Sequence, residues 1–352
     1  MEAAFLLYSQ LSDRLACRRY QTAVSLHSHT CHSRESLAII PGVAQKLLGV
    51  LIHRLENRHK KELDLSRAWW TPPLSPADAW CVESEQISRL LSMEPLVSLT
   101  DHDNIDAVNT LAEIHAGRSH PISIEWTVPF CESFFHLGVH NLPPAGAPQI
   151  VAGMQGFTAQ PSEAVLAEIL ASLHDFPGVL TVFNHPCWDE KGVGAVRHAE
   201  LLRDFLNRYR TCLHALELNG LRPWRENRAV IEIAEAARIP LMSGGDRHGR
   251  EPNAIVNVTN AGSFSEFVEE VRRDGCSRPV FLPQYSAPRA WRVAQTVWDV
   301  LRNDQHALAV TRWSDRVFYR CDDGVARSLT SLFRHAAPTD LASKCNPAVI
   351  SD

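Results

Sequence analysis

Residues 215–248, ALELNGLRPWRENRAVIEIAEAARIPLMSGGDRH, spell a strand, a helix and a second strand in quick succession. Ala215–Gly220 and Pro240–His248 are compact apolar runs that end in polar residues, as strands covered on both faces do. Between them Asn227–Arg238 repeats apolar residues at i, i+3 and i+4, the stripe of a helix lying on a core. The same kind of strand recurs at Val24–Thr30, Leu96–His102, Pro121–Val128, Phe134–Asn141 and Gly178–Pro186. Helical stripes recur at Ser162–His174 and Ser265–Arg273. Strand and helix alternating at this rhythm predict an α/β fold with a mostly parallel sheet, either a barrel or doubly wound.

The chain has 352 residues, 45% hydrophobic and 21% charged, which excludes a disordered or collagen-like polymer. A net charge of −5 disfavours nucleic acid and an anionic membrane surface as partners. Nine cysteines form no C-x-x-C pair, so a zinc finger and a disulfide scaffold are both disfavoured. The opening MEAAFLLYSQLSDRLACRRY has no positive region before its short apolar patch, so it reads as neither signal peptide nor membrane anchor. A reducing, cytoplasmic compartment is the expectation.

Two regions break the rhythm. Residues 41–95 separate the first two strands by more than a crossover needs. With the helix expected over Val43–Lys61 and the turn-rich WWTPPLSPADAW, they read as a helical insertion. Trp69, Trp70 and Trp80 in it suit either core packing or the mouth of a pocket. Beyond Tyr285 come an amphipathic helix at Ala290–Arg302, a hairpin between ALAVTRW and VFYRC, and a loose tail.

The chain holds 17 histidines, and their placement matters more than their number. His27 and His29, Asp101-His102-Asp103, Glu125, His136 or His140, His185, and Asp246 with His248 all stand at the carboxyl ends of expected strands. Ligands gather at that end of parallel α/β folds. Residues i and i+2 of a strand share a face, which pairs His27 with His29 and Asp246 with His248. Each motif alone has an ordinary reading: TDHD as a helix cap, NHP as a turn, GGDRH as a polar loop, Glu125 as a buried ion-paired acid. Six strand ends bearing imidazole or carboxylate point together to one metal site, and the donors suit manganese, iron or zinc.

In this order LHSHTCHS, TDHD, a strand-end Glu, FHLGVH, NHP and GDRH resemble the PHP (polymerase and histidinol phosphatase) superfamily over residues 22–260. The resemblance implies a distorted (β/α)7-type barrel over residues 1–285, with the insertion at 41–95 and a C-terminal helical and hairpin extension at 286–352. It implies divalent ions at the carboxyl end and hydrolysis of phosphoesters. By position, one ion falls to His27, His29, Glu125 and Asp246, and a second to Glu125, His136 and His185. A third falls to His102 and His248. His136 is preferred to His140 because it directly precedes a Leu-Gly pair, as in the family. Asp101 and Asp103 would orient His102 or the neighbouring loops.

One departure bears on the third ion. The family often has Ser-Asp-Gly after its first motif, where this chain has Ser33-Arg34-Glu35. Guanidinium offers only donors and ligates no cation. The third ion is then absent with Arg34 as a phosphate clamp, which is the favoured outcome. Otherwise Glu35 replaces the ligand, or the site is weakened. Arg247, Arg222 and Arg225 are further phosphate-binding candidates, and His102 or His248 could protonate a leaving oxygen. The expected activity is a metal-dependent phosphoesterase acting on a small phosphorylated metabolite such as a nucleotide, sugar or amino-alcohol phosphate. The alternatives are hydrolysis of a non-phosphate bond, or a metal-binding regulatory module without turnover.

Overall fold

A computed structural model describes residues 5–10, 19–37, 49–50, 52–54, 56–57, 62–115, 117, 119–275, 277–306 and 309–334. The chain divides into two units, Met1–Glu35 with Thr71–Val300, and Ser36–Trp70 with Leu301–Asp352.

The first unit is mixed α/β. Its strands are β1 (Leu6–Leu7), β2 (Thr22–Ser25), β3 (Glu94–Val97), β4 (Ile124–Phe130), β5 (Ser133–His140), β6 (Leu180–Asn184), β7 (Ala215–Asn219), β8 (Leu241–Gly244), β9 (Ile255–Thr259) and β10 (Pro279–Phe281). They form two five-stranded sheets, in the orders β1-β10-β9-β2-β3 and β8-β7-β6-β5-β4. Every residue of β2, β6, β7, β8 and β9 is buried, as in strands covered on both faces, and polar residues among them such as Glu217 and Asn257 are hydrogen-bonded. The largest core cluster packs Trp126, Phe183 and Phe205 with the apolar stripes of the flanking helices. Among these are α1 (Glu163–Asp175), which buries Leu166, Leu170 and Leu173, and α2 (Ala195–Tyr209).

The arrangement is not a clean (β/α)7 ring. β2–β3, β6–β7 and β7–β8 are parallel, but β4–β5 and β5–β6 are antiparallel, and β9 runs against both β2 and β10. The cause is local. Cys131 adopts φ 52° and turns the chain between Phe130 and Ser133, so no crossover helix separates β4 from β5. Among the described residues two isolated backbone bridges join the sheets, Ser28 with Arg247 and His102 with Glu125. Val24 of the first sheet and the adjoining Leu26 also share a core cluster with Leu180, Val182, Ala215 and Met242 of the second. Ser28, Arg247 and His102 lie beyond the carboxyl ends of β2, β8 and β3, whereas Glu125, expected at a carboxyl end, is the second residue of β4, and His136 lies in the middle of β5.

In the second unit, Ala68–Trp70, Val317–Arg320 and Ala326–Ser328 form an antiparallel sheet. Trp70 is buried and Trp69 stacks on Phe318 at 5.8 Å, so this pair packs within its own unit. The single hairpin expected from ALAVTRW and VFYRC is replaced by two. Ala309–Thr311 pairs back onto Asp304–His306, while Val317–Arg320 turns at Gly324 (φ 78°) to meet Ala326–Ser328. The helix expected over Ala290–Arg302 runs Arg289–Leu301. Most of Val43–Lys61 and the tail from residue 335 lie outside the described residues.

Candidate metal centre

β2 ends at Ser25, and the chain then leaves strand geometry: His27 has φ 62°. Opposite it, Asp246 has φ 55°, and its N–H donates to the His27 carbonyl at 2.7 Å. His185 also has positive φ. Three non-glycine residues in the left-handed region within one cluster mark backbone strain of the kind held at functional sites. The two motifs are two-faced. His27 and His29, and Asp246 and His248, face the cluster. Ser28 and Arg247 between them meet on the other side, both donating to buried Glu83, at 3.2 and 3.0 Å.

Gly244 and Gly245 permit this packing. A Cβ on Gly244 would lie 1.5 Å from Glu217 Oε1, and one on Gly245 would lie 1.7 Å from Asn253. Asn253 fills that space and donates to Ser25, Ser28 and the Leu26 carbonyl.

All eight expected ligands converge, with Glu125 at the centre. Glu125 Oε1 lies 3.0 Å from His27 Nε2, 3.2 Å from His185 Nε2 and 3.6 Å from His136 Nδ1. Its Oε2 lies 3.1 Å from His29 Nε2 and 3.4 Å from His102 Nδ1. Asp246 Oδ1 stands 3.6 Å from His27 Nε2, 3.7 Å from His29 Nε2 and 3.3 Å from His248 Nδ1. His27 Nε2, His29 Nε2, His102 Nδ1 and Glu125 Oε2 are buried without a hydrogen-bond partner. Orphaned buried polar atoms are costly, and four of them converging as lone-pair donors fit a bound cation.

Neighbours orient the imidazoles. His27 Nδ1 lies 2.6 Å from Glu217 Oε1, and His29 Nδ1 lies 3.1 Å from Ser33 Oγ. Glu217 also accepts from the His185 backbone N–H and from Asn219. Proton on Nδ1 leaves each Nε2 as the ligating atom, the usual pattern around a metal-binding histidine.

The electrostatics agree. Burial opposes charge on His27, yet Glu125, Glu217 and Asp246 hold its pKa well above the ordinary value. Against the same burial, Glu35 raises His248 to about 9. Glu125 and Asp246 are held well below the carboxylate range, since surrounding imidazoles outweigh burial. His136 alone among these goes the other way, kept neutral chiefly by burial. The cluster draws positive charge, here as protons that a divalent ion would displace.

Several expected side chains stand elsewhere in the structure. Glu35, not Arg34, turns inward: its Oε2 lies 3.3 Å from His102 Nε2 and 3.2 Å from His248 Nε2, and its Oε1 accepts from Ser33 Oγ. With His29 these form one group of potential ligands, while Arg34 is exposed. Arg247 is not aimed at the cluster, because its guanidinium donates to Glu83, the Gly249 carbonyl and the His29 carbonyl. Arg222 pairs with Glu226 and lies over the Trp188 ring at 4.3 Å, while Arg225 is exposed. Asp101 and Asp103 hold neighbouring loops, one of the two roles expected of them: Asp101 accepts from the Thr30 N–H and hydroxyl, and Asp103 from the Thr127 N–H. TDHD does not cap the following helix, which begins at Asp106. His140 lies within hydrogen-bond distance of Ser98 and joins no ligand group.

Sequence reasoning missed Glu217, Glu83 and Glu190. Glu217 carried a signal, an acid inside the otherwise apolar run ALEL. Glu190, in the loop after β6, carried none.

No family model and no curated protein matches the chain. Among solved structures it is similar to PsfC from Pseudomonas syringae PB-5123, at 14% identity and TM-score 0.43, over 78% of this chain and 96% of that one. It is also similar to a "putative metal-dependent phosphoesterase" from Bifidobacterium adolescentis ATCC 15703, at 13% identity and TM-score 0.37, over 66% and 90%. A third is an amidohydrolase from Chromobacterium violaceum with bound sulfate and no metal, at 14% identity and TM-score 0.37, over 83% and 98%. At this level of likeness none of the three bears on the reaction. No helix among the described residues is long and apolar enough to cross a membrane.

Proposed function

We propose that this chain is a metal-dependent hydrolase that cleaves a phosphoester of a small metabolite, with manganese, iron or zinc as the ion. The observation that carries the reading is the set of orphaned ligand atoms around Glu125: His27 Nε2, His29 Nε2, His102 Nδ1 and its own Oε2. One ion would be held by His27, His29, Glu125 and Asp246, a second by Glu125, His136 and His185. A third would be held by Glu35, His102 and His248. Bound divalent ions supply a water acidic enough to attack at neutral pH and a clamp for phosphoryl oxygens.

The chain's own residues prepare that chemistry. Glu217 and Ser33 fix the tautomers of His27 and His29, and Asn184 donates to Glu125 Oε1 at 2.9 Å, holding the central carboxylate in place. Glu83 and Arg247 clamp the motifs from behind. His102 and His248, which flank Glu35, are ligands in this reading rather than acids for the leaving group. The phosphoester preference draws support from the order of the motifs in the sequence, and the hydrolase class from the donor set. The acidic net charge disfavours a nucleic-acid substrate. The six free cysteines among the described residues suit a reducing, cytoplasmic setting.

The test loads purified protein with manganese, iron or zinc and offers an aryl phosphate, a panel of sugar, nucleotide and amino-alcohol phosphates, and amide and lactone controls. Phosphate release that chelator abolishes supports the reading. Turnover of amides alone moves the activity to another bond. Metal binding without any turnover makes the chain a binding module.

A further inference from the structure

We propose that Glu190 is an additional protein ligand of the second ion position, joining His136 and His185 beside Glu125. This rests on the metal-centre reading above and goes beyond the ligand set that the sequence motifs supply.

Glu190 Oε2 lies 3.5 Å from His136 Nδ1, and Glu190, His136 and His185 offer ligand atoms that all lie within 4.8 Å of one another. The same Oε2 is buried without a hydrogen-bond partner, like the other orphaned atoms of the cluster. The loop is built to put it there. Asp189, one residue earlier, accepts from the backbone N–H groups of Gly192, Val193 and Gly194 at 2.9, 3.0 and 2.7 Å. Gly192 and Gly194, at φ 76° and 99°, give the turn its curvature. The loop's donors are thereby taken by Asp189, and the next carboxylate is turned to the histidines.

The charge balance argues the same way. Glu125 is shared among five imidazoles and bridges positions, so without Glu190 the second ion would have two neutral rings and part of one negative charge. An unshared carboxylate makes the position tighter. It also shifts its preference toward oxygen-loving ions such as Mn²⁺.

The experiment uses the full chain, stripped with chelator and titrated with Mn²⁺ and with Co²⁺, reading stoichiometry by elemental analysis and coordination by the Co²⁺ visible spectrum. Glu190→Gln and Glu190→Ala are compared with the unaltered protein, and thermal unfolding confirms that each variant folds. The expected result is one ion weakened by at least about tenfold, with a changed Co²⁺ spectrum, while the remaining ions bind as before. Exogenous acetate partly restores the lost ion in Glu190→Ala. Unchanged affinity and spectrum in both folded variants overturn the ligand role and leave the metal centre intact. If the unaltered chain binds no ion at all, the metal-centre reading itself falls and this proposal with it.

Discussion

His27 Nδ1 and Glu217 Oε1 stand 2.6 Å apart, both fully buried, although 190 residues separate them along the chain. The contact sends the opposite ring nitrogen toward Glu125 and Asp246 and fixes which lone pair is on offer. Partners of this kind commonly govern metal affinity by about 10–100-fold. Glu217→Ala is therefore expected to weaken metal binding by that factor, measured by competition with a chelator of known affinity. Gly244→Ala should do the same, because its Cβ needs the space that Glu217 occupies. Gly153→Ala, on an exposed helical face with open space around it, serves as the control and leaves affinity unchanged.

Glu35 and Arg34 make opposite predictions. Glu35→Ala should lose one ion per chain by elemental analysis, since His102 and His248 then share no carboxylate between them. Arg34→Asp should leave the count unchanged, because Glu35 already fills the position. An ion gained in Arg34→Asp would restore the vacancy first expected from Ser33-Arg34-Glu35.

Arg247→Met should be among the most damaging substitutions to stability, although the side chain faces away from the ligand cluster. It leaves Glu83, fully buried and with its pKa already raised by burial, without its cation. Breaking such a pair typically costs about 3–5 kcal/mol, readable as a lower urea midpoint. The double variant Glu83→Gln with Arg247→Met should recover part of the loss.

Acid should destabilise the chain through imidazoles buried neutral. Burial depresses His140 and His214 to about 3, against about 6.5 unfolded. For a base whose folded pKa is depressed, stability is full above about pH 6.5. It falls as the unfolded chain takes up protons, by up to about 1.4 kcal/mol per pH unit for each group, down to about pH 3. The drop in unfolding free energy between pH 7 and pH 4 should be smaller in His140→Gln than in the unaltered metal-free protein. Equal drops would show that His140 is not buried neutral.

Most of the eight candidate ligands were legible because they sit where a short apolar run gives out, and H-x-H or D-x-H spacing puts two side chains on one face; Glu125 and His136 lie inside β4 and β5 instead. The same alternation should have sent Arg247 to the back, beside Ser28, but its position between two ligands drew it into the site. Glu35 was hidden by its neighbour: the turn in which the Ser33 N–H donates to the Thr30 carbonyl brings residue 35 inward and leaves residue 34 outside, and no periodicity announces that. The sheet order was illegible for a related reason. Apolar runs mark β4 and β5 as strands, but the turn at Cys131 decides that they run antiparallel. The antiparallel placement of β9 likewise depends on partners far along the chain.

The backbone bridges Ser28–Arg247 and His102–Glu125 join one sheet to the other among the described residues, and candidate ligands flank both. Each ligand group that includes His27, His29 or His102 draws donors from the two sheets together. A cation seated there acts as a rivet across a seam, and it can be captured only after residues near the start of the chain have found those past position 240. Chelated protein should therefore breathe first along this seam, with faster amide exchange at Gly245, Asp246 and Asp103 than in the strands behind them.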